Sequence, residues 1–115
     1  MRFWLSLALI VAAGGAQAAC PGDTQYEMNE CAAADFQMAD TQLNATWEQA
    51  KSFMDGINQG AALLDAQRKW LAFRDAACAA EIAPYEGGSI QPLILWTCLT
   101  RLTQTRTEDL RTFRF

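Results

Sequence analysis

Histidine is absent from all 115 residues. The commonest general base is therefore missing, and so is the commonest metal-ligating side chain. None of the four cysteines forms a C-x-x-C pair, so zinc is not expected and no cofactor is implied. Cations are scarce as well, nine Lys and Arg against thirteen Asp and Glu. That balance argues against nucleic acid, whose phosphates want a basic face. No internal repeat, low-complexity run or linker interrupts the chain, and its length suits one small domain.

The opening residues read as a processing signal. Met1-Arg2 gives a short positive start, Leu5 to Ala13 an apolar run broken by Ser6, and Ala16-Gln17-Ala18 the small residues of a cleavage site. Residues 1–18 are thus expected to be a signal peptide, too short and wrongly flanked for a stable membrane span. The competing reading is a lipoprotein anchored at Cys20, but Gln17 stands where a lipobox wants a Leu-like residue. Cleavage after Ala18 is favoured, and the product, residues 19–115, is expected to be periplasmic or secreted. Losing Arg2 leaves eight cations against thirteen acids, a balance that suits a cationic partner.

Cys20, Cys31, Cys78 and Cys98 are an even set in an exported chain, which reads as two disulfides with three possible connectivities. Helix register chooses among them. Thr24-Gln25-Tyr26-Glu27 is a capping box that opens a long helix over about 24–57. Its stripe is Met28, Ala32, Ala39, Leu43, Thr46, Ala50, Phe53 and Ile57, widened by Phe36, Trp47 and Met54. The segment 56–60, GINQG, ends it. A second helix follows from about Ala61 to Ile82, and Pro92 opens a third. Leu95, Trp96, Leu99, Leu102, Thr103, Leu110 and Phe113 mark the buried face of that third helix.

The expected fold is all-α, a small three-helix antiparallel bundle with one long N-terminal helix, stapled by two disulfides. A turn centred near Gly88 makes facing positions of helices 2 and 3 sum to about 176, which Cys78 and Cys98 satisfy. Cys31 lies about 13 Å along helix 1 from the level of Cys78, beyond the reach of a bridge. Cys20–Cys31 follows by exclusion.

The second helix carries the most informative pattern. Leu63, Ala66, Trp70, Phe73 and Ala77 flank one side of its inner face, and Leu64, Leu71 and Cys78 the other. Gln67 and Arg74 lie between them, and Arg106 falls inside the face of helix 3. A buried guanidinium needs a partner, because leaving it alone costs several kcal/mol, about 3–5. Facing positions of helices 1 and 2 put Arg74 level with Asn44 and one turn from Asp40. The set Asp40, Asn44, Gln67, Arg74 and Arg106 is therefore expected to be a structural polar core. The competing reading is a pocket that offers arginines to a small anionic ligand.

Catalysis is not expected: Ser89 has no visible activator and the cysteines are paired. The segment Tyr85, Glu86, Gly87, Gly88, Ser89 is the more promising surface. Its glycines can turn backbone amides outward, and a Cys78–Cys98 bridge at its base would order it before binding.

Several blocks recur in a known family. They are Thr24-Gln25 with Glu27-Met28-Asn29 and Cys31-Ala32, then Ala39-Asp40, Leu43-Asn44 and Ala66-Gln67-Arg68 with Trp70. Phe73-Arg74-Asp75-Ala76 with Cys78, Gly87-Gly88-Ser89, Cys98-Leu99, Leu102-Thr103 and Arg106 complete the set. The chain resembles the N-terminal-domain family of the LprI-type lysozyme inhibitors, small exported bacterial envelope proteins. Trp47 departs from the Tyr more usual there. The resemblance implies a lysozyme partner and inhibition by protein–protein contact. An acidic body would attract a cationic lysozyme, and loop 85–89 would offer donors to the two carboxylates of its cleft. The alternative is an envelope accessory or small-ligand-binding module with no lysozyme activity.

Overall fold

The computed structural model describes residues 22–114. Among the described residues there are three α-helices, α1 (Gln25–Gly56), α2 (Gly60–Ile82) and α3 (Gln91–Leu110), and a 3-10 turn at Ala83–Tyr85. No strand occurs among the described residues. The expected signal peptide, its cleavage site and Cys20 lie outside them.

Each boundary has a local cause. The Thr24 hydroxyl accepts the Glu27 amide at 3.1 Å and starts α1. The Glu27 carboxylate reaches back to the amide of Asp23 at 3.3 Å, one residue earlier than a standard capping box. Asn58, at φ 61°, supplies the left-handed residue that separates α1 from α2. Gly60 packs so close to Asp55 and Lys51 that a side chain there would collide with them. Pro92 sits in the first turn of α3, where a missing amide hydrogen costs nothing.

The helices run up, down and up. Phe36 stacks on Trp96 with ring centroids 5.4 Å apart, and Asn29 reaches Ser89, so α1 and α3 advance together. Their interface is the most extensive of the three, and that between α1 and α2 is the least. Leu43, Ala50, Leu63 and Leu110 form the apolar centre, with Trp47, Met54, Trp70 and Phe113 packed around it. Between α2 and α3 the expected register holds. Cys78 and Cys98 form a disulfide with Cα atoms 5.6 Å apart, and both residues are fully buried. The second staple proposed from the sequence, Cys20–Cys31, includes a residue outside the described part.

Periodicity overestimates the apolar face of α2. Phe73 is 61% exposed and Leu71 38%, whereas Gln67 is buried. The polar side chain expected at the centre of the face is buried, while hydrophobics expected to flank it are not. Ile57 also comes out exposed, because α1 ends before its turn can reach the core. Thr46, Thr103 and Thr107 are buried beside the leucines, so the core is small and partly polar. Thr107 returns its hydroxyl to the Thr103 carbonyl at 3.0 Å, which satisfies it within its own helix.

A core of this size leans on its covalent bridge. The Cys78–Cys98 bond joins positions twenty apart in sequence, worth about 3 kcal/mol by constraint of the unfolded chain. Replacing both cysteines with alanine is expected to lower unfolding free energy by about that amount in urea titration. An unchanged midpoint would show that the bridge constrains little.

Candidate functional site

Two regions contain the residues singled out from the sequence: the polar interior and the loop that follows α2. In the interior, Arg74 leaves α2 with its side chain only 12% exposed. Its guanidinium carbon lies 5.2 Å from the Trp70 ring centroid and 5.7 Å from that of Phe36. Nε donates to Asp75 Oδ1 at 3.0 Å, and one terminal nitrogen donates to the Thr103 hydroxyl at 3.3 Å. The sequence expectation of Asp40 and Asn44 as partners is therefore corrected. Those two meet each other at 3.4 Å on the outside of α1. The reason is side-chain reach: the guanidinium turns toward α3 and the aromatic rings, and Asp75 bends back to meet it.

Arg106 approaches the same indole. Its guanidinium carbon lies 5.9 Å from the Trp70 ring, and its Nε donates to the Gln67 carbonyl oxygen at 2.9 Å. Burial pushes this guanidinium below the ordinary arginine value, and Asp109 pulls it partly back. Trp70 thus receives cations from two helices, each attracted to the negative face of its ring. Gln67, Arg74 and Arg106 come together as one interior group, whereas Asp40 and Asn44 lie outside it. Most of the donors of these arginines are engaged by rings and hydrogen bonds, and the buried Arg106 Nη2 is left without a partner among the described residues. Thr103 and Phe36 were not identified as partners from the sequence. The register that pairs Cys78 with Cys98 also sets Arg74 beside Thr103, so applying it a second time would have found the hydroxyl.

The loop is exposed throughout residues 83–90. Ala83–Tyr85 turns once as a 3-10 helix, and Gly87 takes φ 76°, a conformation that favours glycine. Of the two glycine amides expected to face outward, that of Gly88 needs correction. Gly88 N–H donates to the Tyr85 carbonyl at 2.9 Å, and Glu86 N–H to that of Ala83 at 3.4 Å. Both amides are turned inward because the turn is tight. A Cβ on Gly88 would come within 3.1 Å of the Tyr85 carbonyl oxygen. Tyr85, 41% exposed, and Glu86 remain as outward side chains.

The loop is held at both ends. Below it lies the buried Cys78–Cys98 bridge, flanked by an ion pair between Arg101 and Glu81. Above it, Asn29 Nδ2 donates to the Ser89 carbonyl at 3.0 Å, and Gln25 Nε2 donates to Asn29 Oδ1 at 2.8 Å. These two residues clamp the loop to the first turns of α1. Asn29 stands in one of the recurrent blocks, which was the available signal, but spacing alone gives no hint of a contact sixty residues away.

The interior makes a quantitative claim. Thr103 is fully buried, so Arg74→Met leaves its hydroxyl without the guanidinium and should cost about 1–2 kcal/mol in chemical denaturation. Thr103→Val should cost a similar amount. The double variant should fall short of the sum by about 1 kcal/mol, because the second change removes a partner already lost. Strict additivity would show that the two groups do not interact.

Comparison with known proteins supplies the remaining context. The model of the family described as "Lysozyme inhibitor LprI" matches residues 16–110. An uncharacterized protein of Rhizobium meliloti (strain 1021), R02472, is 36% identical over 102 aligned residues, covering 76% of this chain and 72% of the relative. No solved structure matches the chain. A family match over most of the sequence, together with the helical bundle, identifies the chain as a member of the LprI lysozyme inhibitor family.

Proposed function

We propose that this protein is exported and inhibits a lysozyme by protein–protein contact. The observation that carries the reading is the family match, which extends through all three helices and the loop. The physical chemistry agrees with it. Without residues 1–18 the chain has eight cations and thirteen acids, which favours encounter with a basic enzyme. The loop of Tyr85, Glu86, Gly87, Gly88 and Ser89 is the proposed contact. Its disulfide base and α1 clamp order it in advance and so lower the entropy cost of association.

Inhibition through this loop would act by occupying the enzyme's substrate cleft. With the Glu86 and Gly88 amides already engaged, the contact relies on the Tyr85 ring and the loop surface instead of a pair of free backbone donors. Such a contact consumes no cofactor and makes no covalent bond. Export with cleavage after Ala18 places the inhibitor in the periplasm or outside the cell, where lysozyme meets the cell wall.

The test is lysis of bacterial cell-wall suspensions followed by turbidity. Purified protein in micromolar excess over a basic c-type lysozyme is expected to slow clearing, and added salt should weaken the effect because exposed charges are screened. Undiminished lysis at that excess would contradict inhibition and would favour an accessory role with another envelope partner.

A further inference from the structure

The loop does not stand alone at its end of the bundle. The Asn29–Ser89 hydrogen bond joins it to the first turns of α1, where Tyr26 is 72% exposed. Ile90, next to the clamped Ser89, is 37% exposed, and Tyr85 of the same loop is 41% exposed. Tyr26 and Tyr85 are the only tyrosines in the sequence, and both emerge at this end. Aromatic side chains in solvent cost a folded protein apolar hydration. They are also the residues most enriched at the centres of protein interfaces, since they offer large area with few rotatable bonds.

The charge around them is predominantly negative. No Lys or Arg occurs from Gly22 to Ala50 or from Asp75 to Thr100 in the sequence, and those stretches build this end. Asp23, Glu27, Glu30 and Glu86 are exposed there. Arg101, on α3 below the loop, is paired with Glu81. The opposite end carries Lys51, Arg111 and Arg114. Two exposed tyrosines in a field where acids outnumber the single cation, Arg101, complement a basic protein surface and repel an acidic one.

We propose that the first turns of α1 and loop residues 83–90 form one docking face for a basic protein, anchored by Tyr26 and Tyr85 and held in register by Asn29. The identification of that protein as lysozyme rests on the inhibitor reading above; the face itself is assigned from the exposed tyrosines, the clamp and the charge. Tyr26 and Asn29 extend the site beyond the loop to a second element. Encounter is steered by the acids, and the tyrosines set the lifetime of the complex.

Biolayer interferometry with immobilised c-type lysozyme and the purified protein tests the assignment. Tyr26→Ala and Tyr85→Ala are each expected to weaken binding about ten-fold, chiefly through faster dissociation. Ile57→Ala and Phe73→Ala, at exposed apolar positions elsewhere, should stay within about two-fold of the parent. The double reversal Glu30→Lys with Glu86→Lys should slow association at low salt and approach the parent rate at high salt. All are surface changes, and helical circular dichroism checks that each variant folds. If the parent binds but both tyrosine variants bind equally well, or the controls weaken binding as much, the docking face is overturned while the inhibitor reading stands. If the parent forms no complex, the inhibitor reading fails and this face fails with it as a lysozyme site.

Discussion

A guanidinium inside a three-helix bundle has to be accommodated before anything else can pack. Arg74 is accommodated by two aromatic faces, a carboxylate from its own helix and a hydroxyl from α3. The arrangement avoids the full desolvation of a charge in an apolar core, because Asp75 keeps one side of the pair close to solvent. Trp70 receives Arg74 from its own helix and Arg106 from α3, so the second contact links α2 to α3 through the indole. The leucine cluster then fills the space toward the α1–α2 turn, and the disulfide closes the other end.

This division of labour separates stability from recognition along the axis of the bundle. The interior arginines are engaged by rings and hydrogen bonds, although Arg106 keeps one buried terminal nitrogen without a partner among the described residues. The exposed loop contributes almost nothing to the core but inherits rigidity from what lies beneath and beside it. Cys98 is fully buried close to the start of α3, and Asn29 spans from α1, so the loop is tied at two points by different chemistry. A short loop with such ties loses little freedom on binding. The proposed contact surface is consequently small in area but ordered in advance.

Much of the fold could be read from periodicity. Helix limits, the capping threonine, the up-down-up order and the Cys78–Cys98 bridge follow from spacing, since rise per residue is constant and turns fix the register. The interior group was legible as residues, with Gln67, Arg74 and Arg106 marked by polarity in an apolar stripe. Its pairing was not. An arginine side chain reaches several ångströms from its Cα, so the level of its backbone does not fix the level of its charge. That is why Asp40 and Asn44 were expected and Thr103 and Asp75 were found. Phe73 misled for a related reason: an amphipathic stripe reports which residues could face inward, not how far the neighbouring helix extends to cover them. The loop's position was evident from Pro84 and the glycine pair. Its attachment through Asn29 depends on tertiary contact and left no periodic trace.

The account's central claim is that binding belongs to one end of the bundle and stability to its interior. Hydrogen–deuterium exchange of the protein alone and mixed with a basic c-type lysozyme tests this directly. The account predicts slower exchange confined to the first turns of α1 and to residues 83–90, with the rest of α2 and α3 unchanged. Protection concentrated around Arg74 and Arg106, or at the end formed by residues 56–60 and the last turn of α3, would contradict it.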